Sequence, residues 1–244
     1  SVGAHVACDL AHAAAWAPVS RVPREDGGFS GFPHLMDRAK PGFLAVRRDG
    51  RRFVNEADSY HDYMSALFDP CGTGETPVSW LICDHRAQRR YGLGWSRPFP
   101  FQTASYVRMG YLFKDSTLAG LARQCGIDAQ QLQATVDTFN QFAEKGCDPQ
   151  FRRGESLYNK NQGEILQGPN PSLGSLRQAP FYAVKLVPGS LGTFAGLHTD
   201  ACARVLDKNE EPIPGLFAVG NDMNSVMNGY YPSGGITLGP GMTF

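Results

Sequence analysis

Two glycine turns near the end of this chain offer backbone N–H groups to a ligand. The first, Gly220-Asn221-Asp222, follows the apolar run 216–219, and glycine there lets the backbone turn tightly or approach a ligand closely. The second, Ser233-Gly234-Gly235, opens onto Ile236-Thr237-Leu238, which reads as a helix start. A helix start leaves N–H groups unpaired and carries the positive end of the helix dipole. Such an end suits a phosphate, an oxyanion or an electron-rich flavin carbonyl. An ordinary glycine-rich turn between a strand and a helix accounts for the same residues. Upstream, Arg52 and Glu56 have the spacing of an ion pair, structural or functional.

The elements that must carry these residues read as follows. Residues 1–16 place alanines and apolar residues at roughly helical spacing, with Pro18 as the stop. Residues 17–42 are rich in Pro and Gly and read as an extended crossing between two structural units. Residues 43–46 and 52–54 flank Arg48-Asp-Gly-Arg51, a hairpin signal, and a helix follows from Tyr60 to about residue 67. Residues 78–83 read as a buried strand, with a helix over 84–91. Two amphipathic helices are predicted over 116–124, closed by Gly126, and 128–143, capped by Asp128. Residues 148–154 read as a loop, 181–187 as a strand and 216–219 as a buried strand.

Composition narrows the function. The 244 residues carry 23 Lys+Arg against 23 Asp+Glu, so no charge excess favours nucleic acid. No apolar run reaches the roughly 18 residues of a membrane span. Residues 1–17 lack a basic start and do not read as a signal peptide. The six cysteines are scattered without Cys-x-x-Cys, which argues against a zinc site or disulfide framework and suits a reducing cytoplasm.

The final stretch, with Asn228-Gly-Tyr-Tyr-Pro-Ser-Gly-Gly-Ile-Thr-Leu-Gly-Pro240 at its centre, resembles the flavin-binding segment of the fumarate reductase/succinate dehydrogenase flavoproteins, and most closely their 3-ketosteroid dehydrogenase branch. Gly50-Arg-Arg-Phe-Val-Asn-Glu56 resembles a signature of the whole superfamily, and Asp148-Pro-Gln-Phe-Arg-Arg-Gly154 a string of the ketosteroid branch. Residues 192–200, 203–207 and 213–217 resemble the run into the last flavin strand. Ser233 and Ala195 stand where glycine is usual. No Gly-x-Gly-x-x-Gly, the FAD nucleotide fingerprint, occurs. The resemblance therefore implies the C-terminal half of an FAD enzyme of α+β class. Residues 1–21 would end the first FAD-domain segment, 22–193 form the capping domain and 194–244 the C-terminal FAD segment. An N-terminal half of the same protein would be the partner.

By the same resemblance, Gly220, Asn221, Gly234, Ile236, Thr237 and Leu238 would bind FAD. Tyr231 and the Gly235 N–H would hold a ketone oxygen, and Tyr60 would take the neighbouring proton. His61 and Tyr230 are adjacent candidates with a structural reading. The arginines and histidine that clamp a dicarboxylate in soluble fumarate reductases are replaced here by Tyr60, Pro232 and Gly192. The expected substrate is thus an apolar ketone, with an enone or keto-acid reductase, or a non-catalytic binding fragment, as the alternatives. No metal is expected.

Overall fold

The computed structural model describes residues 2–69, 76–232 and 234–244, so Ser233 and Cys71 lie outside the described residues. The chain divides into two compact units, residues 1–17 with 190–244, and residues 18–189. The strands and helices are numbered along the chain: β1 (Val6–Ala7), β2 (Ala14–Pro23), β3 (Phe29–Pro33), β4 (Phe43–Val46), α1 (Tyr60–Phe68), β5 (Ser79–Cys83), α2 (His85–Tyr91), α3 (Ala104–Arg108), β6 (Phe113–Asp115), α4 (Leu118–Cys125), α5 (Ala129–Ala143), α6 (Leu157–Gln162), β7 (Phe181–Thr193), β8 (Gly196–Leu197), β9 (Arg204–Leu206), β10 (Pro212–Phe217) and α7 (Leu238–Thr243).

The larger unit is built on a sheet in the order β3-β2-β7-β5-β4, with β6 also paired to β7; the β2–β3, β4–β5, β5–β7 and β6–β7 pairs run antiparallel. Every residue of β4 and β5 is buried, which explains their unbroken apolar runs. Leu44, Val46, Trp80 and Ile82 form a core with Leu121 of α4 and Leu132, Val136 and Phe139 of α5. The helices begin where side chains accept orphan N–H groups: Ser59, Asp84, Thr117 and Asp128 bond the amides of Asp62, Ala87, Gly120 and Gln131. Each such cap is worth about 1 kcal/mol. Gly126 closes α4 in the left-handed conformation.

The smaller unit has two antiparallel pairs, β1 with β8 and β9 with β10. Val205, Ala218 and Met223 form its small core, with Leu197 and Leu216 packed against them.

Four expectations need correction. Residues 2–16 form no helix; they contain β1 and the start of β2. Tertiary pairing overrides the alanine propensity: the Ala13 carbonyl accepts from the amides of Phe194 (2.9 Å) and Ala195 (3.0 Å), and Ala14, Ala15 and Ala17 are buried in strand. Pro18 lies inside β2. The supposed crossing 17–42 instead holds the β2–β3 hairpin and a short 3-10 turn, Asp37–Ala39. The Asp-Gly turn forms, with the Gly50 amide donating to Arg47 O at 3.0 Å, but residues 52–54 are no strand and β4 pairs with β5. Finally, the last apolar strand is β10, ending at Phe217, and it is not buried: Phe217 is 61% exposed.

Candidate functional site

In the smaller unit, Gly220 (φ +60°) begins a 3-10 turn through Asp222. The Asn221 carbonyl accepts from Thr193 Oγ1 at 2.5 Å. The Asn221 side chain closes over Gly192 so tightly that a Cβ there would meet Asn221 Oδ1 at 2.5 Å. A side chain at 192 would therefore have to push the Asn221 amide aside. Gly220, Asn221, Ile236 and Thr237 line one narrow crevice with Thr193 and Phe194. The structure thus brings together four of the six residues expected to bind a flavin.

Gly234 and Leu238 do not line this crevice; both are exposed. The helix expected from Ile236 begins at Leu238, after a turn in which the Gly235 carbonyl accepts from the amides of Leu238 (3.1 Å) and Gly239 (2.7 Å). Gly235 is exposed at φ +99°, with open space where a Cβ would lie. Among the described residues its N–H donates no hydrogen bond.

Tyr231 is 7% exposed, its ring 6.1 Å from that of Phe194 and tilted by 41°. The turn before it is anchored. The Ala11 amide donates to Asn228 O at 3.2 Å, and a Cβ on Gly229 would strike His12 O at 2.6 Å. Its neighbour Tyr230 is exposed.

Tyr60 belongs to the larger unit. It is the first residue of α1 and half-buried; His61 beside it is buried. The loop leading into it is fixed by a buried charge network. The Arg52 guanidinium forks onto both oxygens of Glu56 (2.9 and 2.7 Å) and both of Asp148 (2.8 Å each). Arg153 Nη1 reaches Glu56 Oε2 at 3.1 Å and Phe43 O at 2.8 Å. Asn55 donates to Asn159 Oδ1 at 2.9 Å, and Asn159 donates to Asp58 Oδ1 at 2.8 Å. Arg38 Nη1 holds Glu56 O at 2.8 Å.

Burial alone would push the Glu56 carboxyl up; Arg52 and Arg153 reverse this and hold it at about 2. Burial likewise opposes the Arg52 cation, and Glu56 and Asp148 more than restore it. Arg153, fully buried, is lowered by desolvation despite Glu56. These residues are a scaffold for the Tyr60 loop. The string 148–154, expected as a loop, supplies two of the buried charges.

A second buried chain runs through the same unit. Tyr111 O–H and Ser20 Oγ are 2.8 Å apart, Ser20 Oγ and His34 Nε2 2.7 Å, and His34 Nδ1 and Asp37 Oδ2 2.7 Å. Ser20 is buried and already bonded on two sides, so the chain reads as a tie between β2 and the 3-10 turn. Its residues are too scattered along the sequence to signal it.

The chain belongs to the FAD binding domain family, whose profile matches residues 1–238. It is 41% identical over 229 residues to the 4-oxocyclohex-2-ene-1-carboxylate 5-dehydrogenase of Sinomonas cyclohexanicum, covering 94% of this chain and 39% of that protein. It is 39% identical over 215 residues to the 3-oxosteroid 1-dehydrogenase of Mycolicibacterium smegmatis, covering 86% of this chain and 38% of that one. Among solved structures it resembles the 3-ketosteroid delta1-dehydrogenase from Sterolibacterium denitrificans in complex with 1,4-androstadiene-3,17-dione, with a TM-score of 0.88 and 36% identity over 98% of this chain and 42% of that one. The chain thus spans about two fifths of these relatives' length. Among the described residues no helix is long and apolar enough to cross a membrane.

Proposed function

We propose that this chain is the C-terminal part of an FAD-dependent dehydrogenase that removes two hydrogens beside a ring ketone of an apolar substrate. The observation that carries this reading is the similarity, over nearly the whole chain, to two dehydrogenases whose names each put the oxidised bond next to a ring oxo group. Residues 22–193 would be the capping domain and 194–244, with 1–21, parts of the FAD domain; the two compact units support that division. An N-terminal half would supply the nucleotide fingerprint. A cytoplasmic location is part of the same reading, supported by five described cysteines that are all free.

The residues present suit the flavin. Gly220, Asn221, Ile236 and Thr237 converge on one crevice, and among the described residues the Gly235 N–H donates no hydrogen bond, which leaves it available to an electron-rich oxygen. Bound FAD supplies the hydride acceptor. The chain's own residues handle the ketone and the proton. Tyr231 O–H and Gly235 N–H donate to the ketone oxygen, and stabilising the charge that develops there acidifies the neighbouring C–H. Tyr60 accepts that proton. An ordinary tyrosine, with a pKa of about 10, is a poor base, and the first turn of α1 is a place where the helix dipole favours negative charge.

The test uses the full-length, flavin-loaded protein with a dye acceptor and a panel of 3-ketosteroids and 4-oxocyclohexane carboxylates. Tyr60→Phe and Tyr231→Phe should each lower kcat by about 100-fold or more, with the flavin spectrum unchanged. Near-normal turnover in both variants would remove the assignment. The panel itself separates a steroid from a single-ring substrate.

A further inference from the structure

We propose that His5, His198 and Glu210, all in the smaller unit, form a binding site for a divalent transition-metal ion of the zinc class. One ligand atom from each residue lies within 4.8 Å of the others. His198 Nδ1 stands 3.4 Å from Glu210 Oε1, and His5 Nδ1 stands 3.9 Å from the same oxygen. The two imidazoles meet edge to face with centroids 5.4 Å apart.

Those separations are long for hydrogen bonds, which run about 2.7–3.2 Å. They are close to what a shared ion requires. Bonds of about 2.0–2.2 Å in a tetrahedral site place the ligand atoms roughly 3.3–3.6 Å apart. His198 supplies a second, independent pointer. Its Nδ1 is shielded from solvent yet makes no hydrogen bond among the described residues, and a buried polar atom left unsatisfied is costly. A metal ion would satisfy it.

Backbone bonds hold the three residues in place. The His198 amide donates to His5 O at 2.9 Å, the His5 amide to Leu206 O at 3.0 Å, and the Leu206 amide to His198 O at 2.9 Å. Glu210 sits on the turn after β9, whose ends close through Asp207 N to Glu211 O at 2.9 Å. Asp207 Oδ1 braces that turn from within, accepting from the amides of Asn209 and Glu211.

Two imidazoles and one carboxylate are a donor set for a borderline ion such as Zn²⁺ rather than for Ca²⁺ or Mg²⁺, which prefer oxygen. With three protein ligands, water completes the coordination. The expectation from sequence, that scattered cysteines argue against a zinc site and that no metal is bound, does not consider ligands drawn from histidine and carboxylate. The ion would clamp the chain around His5 to the 196–199 segment and to the β9–β10 turn.

The experiment is calorimetric titration of chelator-stripped, full-length protein with ZnCl₂, alongside thermal melts. The expected result is one equivalent bound with a Kd of roughly 1–10 μM and a rise in Tm. His5→Ala, His198→Ala and Glu210→Gln should each weaken binding by about tenfold or more and reduce the Tm rise, with circular dichroism unchanged. No saturable binding up to about 1 mM would overturn the proposal. So would wild-type affinity in the triple variant, since the exposed thiols Cys8, Cys147 and Cys202 would then be the ligands.

Discussion

The loop before Tyr60 and the segment around Gly235 reach defined shapes by opposite means. The first is held by side chains: a buried set of two arginines and two carboxylates, with asparagines extending it. The second is held by the main chain, through positive φ angles at Gly229 and Gly235, amide-to-carbonyl turns and the close approach of Gly229 to the His12 backbone. A site held by buried charge tolerates almost no change of residue type. A site held by backbone tolerates change in side-chain chemistry but not in side-chain bulk.

Breaking the first region should give the largest effect. Glu56→Ala leaves Arg52 and Arg153 buried without their shared partner and should cost about 3–5 kcal/mol, read from denaturant unfolding; a loss under about 1 kcal/mol would show that the network is dispensable. The same group sets an acid limit. Its folded pKa lies below the ordinary carboxylate value, so its contribution is complete above about 4.5 and is lost as the pH falls toward about 2. Stability measured across that window should fall in the wild type and fall less in Glu56→Gln.

The second region should break by crowding. Gly192→His must displace Asn221, and overpacking of this kind costs about 1–3 kcal/mol. Flavin affinity in the full-length protein should drop with it, while a flavin complex of wild-type affinity would contradict the steric reading. Gly235→Ala meets open space but must hold φ +99°, a region an L-residue enters at about 1–2 kcal/mol. Its melting curve should shift modestly, and a normal curve would mean that the turn relaxes. Arg204→Ala removes an exposed pair with Asp200 and should leave the melting curve nearly unchanged, because solvent screens exposed pairs; a clear loss would mean that the smaller unit also depends on charge.

How much of this was legible follows the same division. The capped amphipathic helices α4 and α5 and the buried strand β5 carry their own local signals, and they form as expected within a residue or two. The opening residues do not: an alanine-rich run with helical spacing becomes strand because distant backbone at Phe194 and Ala195 pairs with it. The glycines at 220 and 235 announce turns but not what surrounds them; that the Asn221 amide occupies the space beside Gly192 needs coordinates. The string around Asp148 resembled a family signature, yet nothing local showed that its charges are buried against Arg52. Exposed Phe217 also reads as core by residue type alone, because hydrophobicity reports what a residue prefers and not what surrounds it.

The charge network has one more consequence, in the timing of folding. Arg52 reaches its Asp148 partner across 96 positions of chain, and Glu56 reaches Arg153 across 97. During synthesis at about 5–20 residues per second, the stretch before Tyr60 therefore waits at least several seconds for the residues that give it shape. Until then it carries a carboxylate and an arginine suited to burial but still in water. The helix it leads into is consequently positioned by sequence made long after it, and a ribosome-bound chain that stops short of residue 153 cannot yet hold Tyr60 in its final place.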